Sequence, residues 1–172
     1  GYVKTGLYSK ITAEYHHLQE FRRGGDQLDL PPHEVMIAEQ TKHGINTGGL
    51  KFDWFSKNQK HRLNAFASMQ HIDRDSYYGA GMDPDAYGKT LDLTWVAGAQ
   101  YIFKAEKCLF MPSDLTVGLE YNEDYLKDNM WGYDRITDQT VRIASLYAQN
   151  EWKNAHWGIL IGGRLDKHNL ID

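Results

Sequence analysis

The strongest constraint on this chain is a period-2 alternation that gives its extended stretches one apolar wall and one polar wall. Leu91, Leu93, Trp95, Ala97, Ala99, Tyr101 and Phe103 share one parity, and Asp92, Thr94, Gly98 and Gln100 occupy much of the other. Successive side chains of a strand point to opposite faces, so each wall meets its own surroundings. Leu115, Val117, Leu119, Tyr121 and Tyr125 repeat the pattern against Thr116, Glu120, Asn122 and Asp124. A chain patterned in this way makes a sheet with grease on one side and water on the other.

Composition narrows what the greasy side can be. The 172 residues suffice for one domain, and 41% hydrophobic content would fill an ordinary soluble core. A mean hydropathy of -0.62, with no long apolar run, excludes transmembrane helices. It does not exclude a transmembrane barrel, because half of each barrel strand faces a polar lumen. The 11 Tyr and 5 Trp suit interfaces that are apolar at one end and wet at the other. A net charge of -4 supplies no basic field, so nucleic acid is not an expected partner. Cys108 is the single cysteine and cannot form an internal disulfide. The chain opens at Gly1 with no signal or targeting segment and stops at Asp172 after a strand-like run, which reads as a piece of something longer.

Alternation and turn residues predict about seven antiparallel strands, the first from about Leu7 to Phe21. Long loops are expected near residues 23–41, 75–90 and 128–140, with short turns around Ser56–Gln59, Lys104–Pro112 and Asn154–His156. Phe66 breaks the alternation of its strand, and the blurred parity of Val141–Lys153 suggests a bulge. Outer-membrane barrels share this asymmetry of long outer loops and short periplasmic turns. Trp54, Phe55, Phe103, Phe110, Trp152 and Trp157 cluster by the short turns, and Tyr15, Tyr121 and Tyr125 lie nearer the loops, as two aromatic girdles would. A soluble β-sandwich would satisfy the alternation equally well.

Several stretches resemble barrel segments of TonB-dependent outer-membrane receptors. They are Tyr15-His16-His17-Leu18-Gln19-Glu20-Phe21-Arg22-Arg23-Gly24-Gly25, Asp75-Ser76-Tyr77-Tyr78-Gly79 and Gly118-Leu119-Glu120-Tyr121. The most specific is Tyr147-Ala148-Gln149-Asn150-Glu151-Trp152-Lys153 returning through Gly162-Gly163-Arg164-Leu165-Asp166. Receptors of this family carry a plug inside a barrel of about twenty-two strands. The resemblance therefore implies an all-β fold of antiparallel up-and-down strands. Residues 1–172 would form about a third of a 22-stranded transmembrane β-barrel, with no plug domain. It also implies location in the bacterial outer membrane, contact with its lipid, and import of vitamin B12 or a ferric siderophore with TonB-supplied energy. The parent protein's partners would be TonB, a plug domain and the small-molecule nutrient.

Two sets of loop residues stand out as candidate sites. Asp73, Asp75, Asp83 and Asp85 lie close together among Gly79, Gly81 and Gly88, and such carboxylates can supply the oxygen ligands of Ca2+. Cobalamin receptors of the resembled family use loop aspartates for calcium, although this spacing is not that of an EF-hand. Tyr77, Tyr78, Tyr87, Trp131 and Tyr133 fall on expected outer loops, where aromatic rings can stack on a ligand or pack loop on loop. His16, His17, His43, His61 and His71 are spread over different strands, without the spacing of a local zinc site. Glu14, Glu20, Arg62, Arg74, Glu120, Asp124, Arg164 and Asp166 lie on the polar wall and are expected to form an ion-pair lattice.

No arrangement of nucleophile, base and acid points to an enzyme. The leading expectation is a segment of an active-transport receptor. The alternatives are a surface or soluble β-domain that binds carbohydrate through its Tyr and Trp loops, and a small closed barrel acting as an adhesin or scaffold. Unpaired edges and an uncovered apolar face would drive the isolated segment to self-associate.

Overall fold

A computed structural model describes all residues, 1–172. The chain forms a single eight-stranded sheet in which every strand pairs with its neighbours in sequence. The strands are β1 (Tyr2–Gly6), β2 (Ser9–Gly25), β3 (Ile37–Phe55), β4 (His61–Ala80), β5 (Tyr87–Cys108), β6 (Met111–Met130), β7 (Arg135–Lys153) and β8 (Gly158–Ile171). All pairings are antiparallel, and β1 and β8 are the two edges. The count is eight, not seven, because Leu7 and Tyr8 form a tight turn between β1 and β2. The five residues of β1 are too few to show an alternation against their flanks.

The expected long loops are mostly strand. Residues 26–36, 81–86 and 131–134 are the only connections at that end, against the expected 23–41, 75–90 and 128–140. The cause is environmental. Above the apolar rows both faces are polar, as in Lys42, Asp75, Lys89 and Asn129, which pair in one register row. Loss of alternation there reports polar residues on both faces beside the small loop core, while the backbone ladder continues. The strands at this end therefore rise past the apolar band as a two-sided polar collar.

Register resolves the walls. One apolar row runs Ile11, Phe52, Ala65, Ala99, Leu119, Leu146, Leu165, and the next runs Ala13, Leu50, Ala67, Ala97, Tyr121, Ala144. The band extends from Phe103 to Leu93 on β5 and from Leu115 to Tyr125 on β6, about eleven residues each, the length with which a tilted strand crosses hydrocarbon. Nothing in the chain covers it: Leu119, Leu146 and Leu165 are 56%, 60% and 74% exposed. The opposite face hides its polar groups, since Thr41, Asp53, Ser76, Thr90, Thr116, Asp128 and Ser145 are all buried there. Side chains crowd on a concave face and splay on a convex one, so the sheet curves toward its polar wall.

Only 17 of 172 residues are buried, whereas 107 of 120 backbone hydrogen bonds lie within the regular elements. Cohesion thus rests on the ladder and on cross-strand side-chain pairs. Two of those pairs explain irregularities of the sequence. Phe66 faces the polar wall and lies over its register partner Gly98, where a Cβ would meet the ring at 2.9 Å. Tyr147 likewise lies over Gly118 and leaves no room for a Cβ. Its hydroxyl crosses β6 to donate to Gln100 Oε1 on β5 at 3.1 Å. No bulge interrupts β7, whose pairings are continuous; the blurred parity comes from Ile143 and Tyr147 sitting on the polar wall. The register shifts lie instead at Lys4/Gly6 and at Ala105/Cys108.

Candidate functional site

Two parts of the structure concentrate chemistry: a small core under the loops, and the polar wall below it. The loop core contains Val35, Ala38, Tyr77 and Ala86, with Tyr87 packed against them. Tyr77 is 0% exposed, and its hydroxyl donates to the Asp83 carbonyl at 2.9 Å. Its ring meets Tyr87 edge-on at 4.9 Å, and Tyr87 Oη lies 2.7 Å from His33 Nδ1. Burial, the Asp83 charge and the neighbouring Tyr87 push the Tyr77 hydroxyl above its ordinary pKa. Loop 26–36 is tied to β4–β5 by the Gly81 N–H, which donates to the Met36 carbonyl at 2.7 Å.

The five aromatic candidates therefore divide. Tyr77 is withdrawn from solvent and cannot stack on a ligand. Tyr78 and Tyr87 are half-buried and lie on strands β4 and β5, as does Tyr77, not on loops. Only Trp131 and Tyr133, 55% and 64% exposed, stand on the β6–β7 connection with their rings available. Tyr133 Oη also donates to the Tyr78 carbonyl at 3.2 Å, which fixes this turn against β4.

The four candidate metal ligands do not converge. Asp73 and Asp75 are on β4, both beside Lys89 Nζ at 3.8 and 3.9 Å. Asp83 and Asp85 are in the connection above, where Asp83 Oδ1 accepts the Asp85 N–H at 2.9 Å. No group of three or more His, Cys, Asp or Glu side chains is placed to hold an ion. Their closeness in sequence is undone by strand β4, which carries the first pair along one face and away from the second. The histidines are equally scattered: His43 is 3.7 Å from Glu20, His17 bonds Asn46 at 2.8 Å, and His61 stacks on Phe103 at 5.1 Å.

The polar wall is a continuous network across strands. Near the loops, Arg74 donates to Thr90 Oγ1 at 2.7 and 3.1 Å and reaches Asp128 at 3.5 Å. Thr90 donates to the same carboxylate at 2.5 Å, and Arg135 donates to its other oxygen at 2.6 Å. Burial alone would raise the pKa of Asp128, but the hydrogen bonds from Thr90 and Arg135 and the charges of Arg135 and Arg74 outweigh it and hold the carboxyl below its usual value. Midway, Arg164 binds Asp166 at 2.8 Å, Ser145 at 2.8 Å and Glu120 at 3.3 Å. Toward the turns, Lys10 and Lys51 flank Asp53 at 3.7 and 3.4 Å. Asn64 donates to Asp53 and accepts from Gln100 at 3.3 Å.

Arg74, Glu120, Asp124, Arg164 and Asp166 thus have polar partners on this wall, Asp124 through Thr94 at 2.8 Å. Arg62 instead lies over the Phe55 ring at 4.6 Å, and Phe55 faces the polar wall, not the expected girdle. Asp53, Thr90, Asp128 and Arg135 were not singled out from sequence. Their signal is cross-strand register, which alternation along one strand does not contain. At the turn end of the apolar face, Phe110 stacks on Trp152 at 5.7 Å, and Trp152 Nε1 donates to the Cys108 carbonyl at 2.9 Å.

A scan against protein-family models gives no match to this chain, and no curated protein matches it.

Proposed function

We propose that this chain is an arc of the transmembrane wall of an outer-membrane receptor that imports a scarce nutrient, of the vitamin B12 or ferric siderophore class, with TonB-supplied energy. The observation that carries the membrane part is the uncovered apolar band, about eleven residues tall on each long strand, backed by a hydrogen-bonded polar wall. A water-soluble domain would bury such a face against a second layer, and exposed patches of this extent mark contact with lipid or with another chain. The transport part rests on the resemblance of the Tyr147–Lys153 and Gly162–Asp166 strands to TonB-dependent receptors. In that setting Trp131 and Tyr133 face the outside medium, where a nutrient would first touch the protein. The wall's carboxylates and guanidinium groups would face the lumen and whatever fills it.

The membrane reading is tested by single-tryptophan variants in bilayers containing brominated lipid. Trp54 and Trp95, on the apolar face, are expected to be quenched, and Trp131 is expected to be spared. A chain that is folded and monomeric in buffer without detergent, and indifferent to brominated lipid, would overturn it. Binding of cobalamin or ferric siderophore by the parent receptor, and its loss on Trp131→Ala, tests the transport part separately.

A further inference from the structure

At the turn end of the concave face is an open hollow of about 350 Å3, bordered by the β1–β2 hairpin and the adjoining ends of β3, β4 and β5. Lys4, Lys10, Lys60, Arg62 and Lys104 line it, against the single carboxylate of Asp53. Register makes the crowding unusual. Lys4 is directly opposite Lys10, and the Lys104 N–H bonds to the Lys60 carbonyl at 2.8 Å, which sets that second pair side by side. Like charges directly opposed across strands destabilise a sheet, and here two such pairs share one hollow. Asp53 is already engaged by Lys10, Lys51 and Asn64. Glu106 takes Lys60 at 2.7 Å. Lys4, Arg62 and Lys104 have no carboxylate oxygen within 4.0 Å, although Asp114 is the register partner of Lys104. The Arg62 guanidinium lies over the Phe55 ring, 4.6 Å from its centroid, and its N–H groups have no carboxylate partner.

We propose that this hollow binds a soluble phosphate group, as inorganic phosphate or a phosphate monoester. A compact anion of more than one charge can answer several ammonium groups at once, and lysines bind phosphate as point charges while the arginine fork supplies directed donors. A bound phosphate would also relieve the repulsion within both lysine pairs. The site lies on the polar wall and stands whether or not the apolar face meets lipid.

The test uses the folded chain in a maltoside detergent, which carries no phosphate, or in plain buffer if the chain proves soluble. Inorganic phosphate is titrated by calorimetry and by thermal unfolding at constant ionic strength. Phosphate is expected to bind and to raise Tm where chloride does not. Lys4→Gln and Lys104→Gln are each expected to weaken binding about tenfold or more, the loss of one charge-assisted hydrogen bond. The same variants are expected to unfold at higher temperature than the natural chain in phosphate-free solution, because each removes a repulsion. Lys127→Gln, at the other end of the sheet, should change neither. A phosphate effect equal to that of chloride, or unaltered in both lysine variants, overturns the proposal. So does a preference for glycerophosphocholine over inorganic phosphate, which would mark a lipid headgroup site.

Discussion

Leu119→Arg separates lipid from water on the apolar face. Leu119 is 56% exposed and sits in its row between Ala99 and Leu146. On a water-facing strand, such a change shifts stability by about 0.5 kcal/mol or less. In hydrocarbon the cost depends on depth. From Leu115 to Tyr125 the strand rises about 34 Å, which at a tilt near 45° spans about 25 Å of bilayer. Leu119 lies about 10 Å up that span, close to the middle, where arginine costs about 2–4 kcal/mol. That is a loss of about 30- to 700-fold in the folding equilibrium. Asn122→Arg is the control, since Asn122 belongs to the polar wall between Val96 and Ile143. Urea unfolding of the chain in short-chain phosphatidylcholine vesicles, followed by tryptophan fluorescence, measures both. If Leu119→Arg is no more destabilising than Asn122→Arg, the apolar band does not face lipid.

The remaining predictions concern the side-chain network. Gly118→Ala collides with the Tyr147 ring and should cost about 1–3 kcal/mol; the cost should largely vanish in a Tyr147→Ala background, as a double-mutant cycle would show. Tyr77→Ala empties the loop core and should destabilise it by about 3–5 kcal/mol, seen as faster amide exchange in residues 33–38 and 81–87 with little change in β6–β8. Asp128 has a folded-state pKa below its ordinary value, so the stability it contributes is complete above the ordinary carboxylate range and is lost as pH falls through the depressed value. An unfolding series against pH should show that acid-side loss, and Asp128→Asn should flatten it.

Alternation along the chain made the two-walled antiparallel sheet legible, because burial of one face imposes period 2 wherever the surroundings differ. It did not mark the strand ends. At Asp73–Ala80 and Tyr87–Thr90 both faces are polar or turned toward the loop core, so the period disappears while the hydrogen-bond ladder persists. Tyr77 looks like an exposed loop aromatic for the same reason, and the β4 ladder places it on the apolar-face side, packed into the loop core. Phe66 and Tyr147 looked irregular on their own strands and become regular once Gly98 and Gly118 are seen opposite them. Asp128 shows the deeper difficulty. Its partners Arg74, Thr90 and Arg135 come from three other strands, and only cross-strand register brings them together.

In this sheet every strand hydrogen-bonds only to its neighbours in the chain, and most side-chain links reach no further than the next strand but one. A hairpin could therefore be duplicated or deleted with a new strand pairing needed only at the junction, while pairings further along the sheet keep their old partners. Genetic gain or loss of such a unit would widen or narrow the wall in steps of two strands while each remaining strand kept its inward and outward faces. The width of a sheet built this way is thus a modular quantity, adjustable by whole hairpins with new side-chain contacts needed only beside the junction.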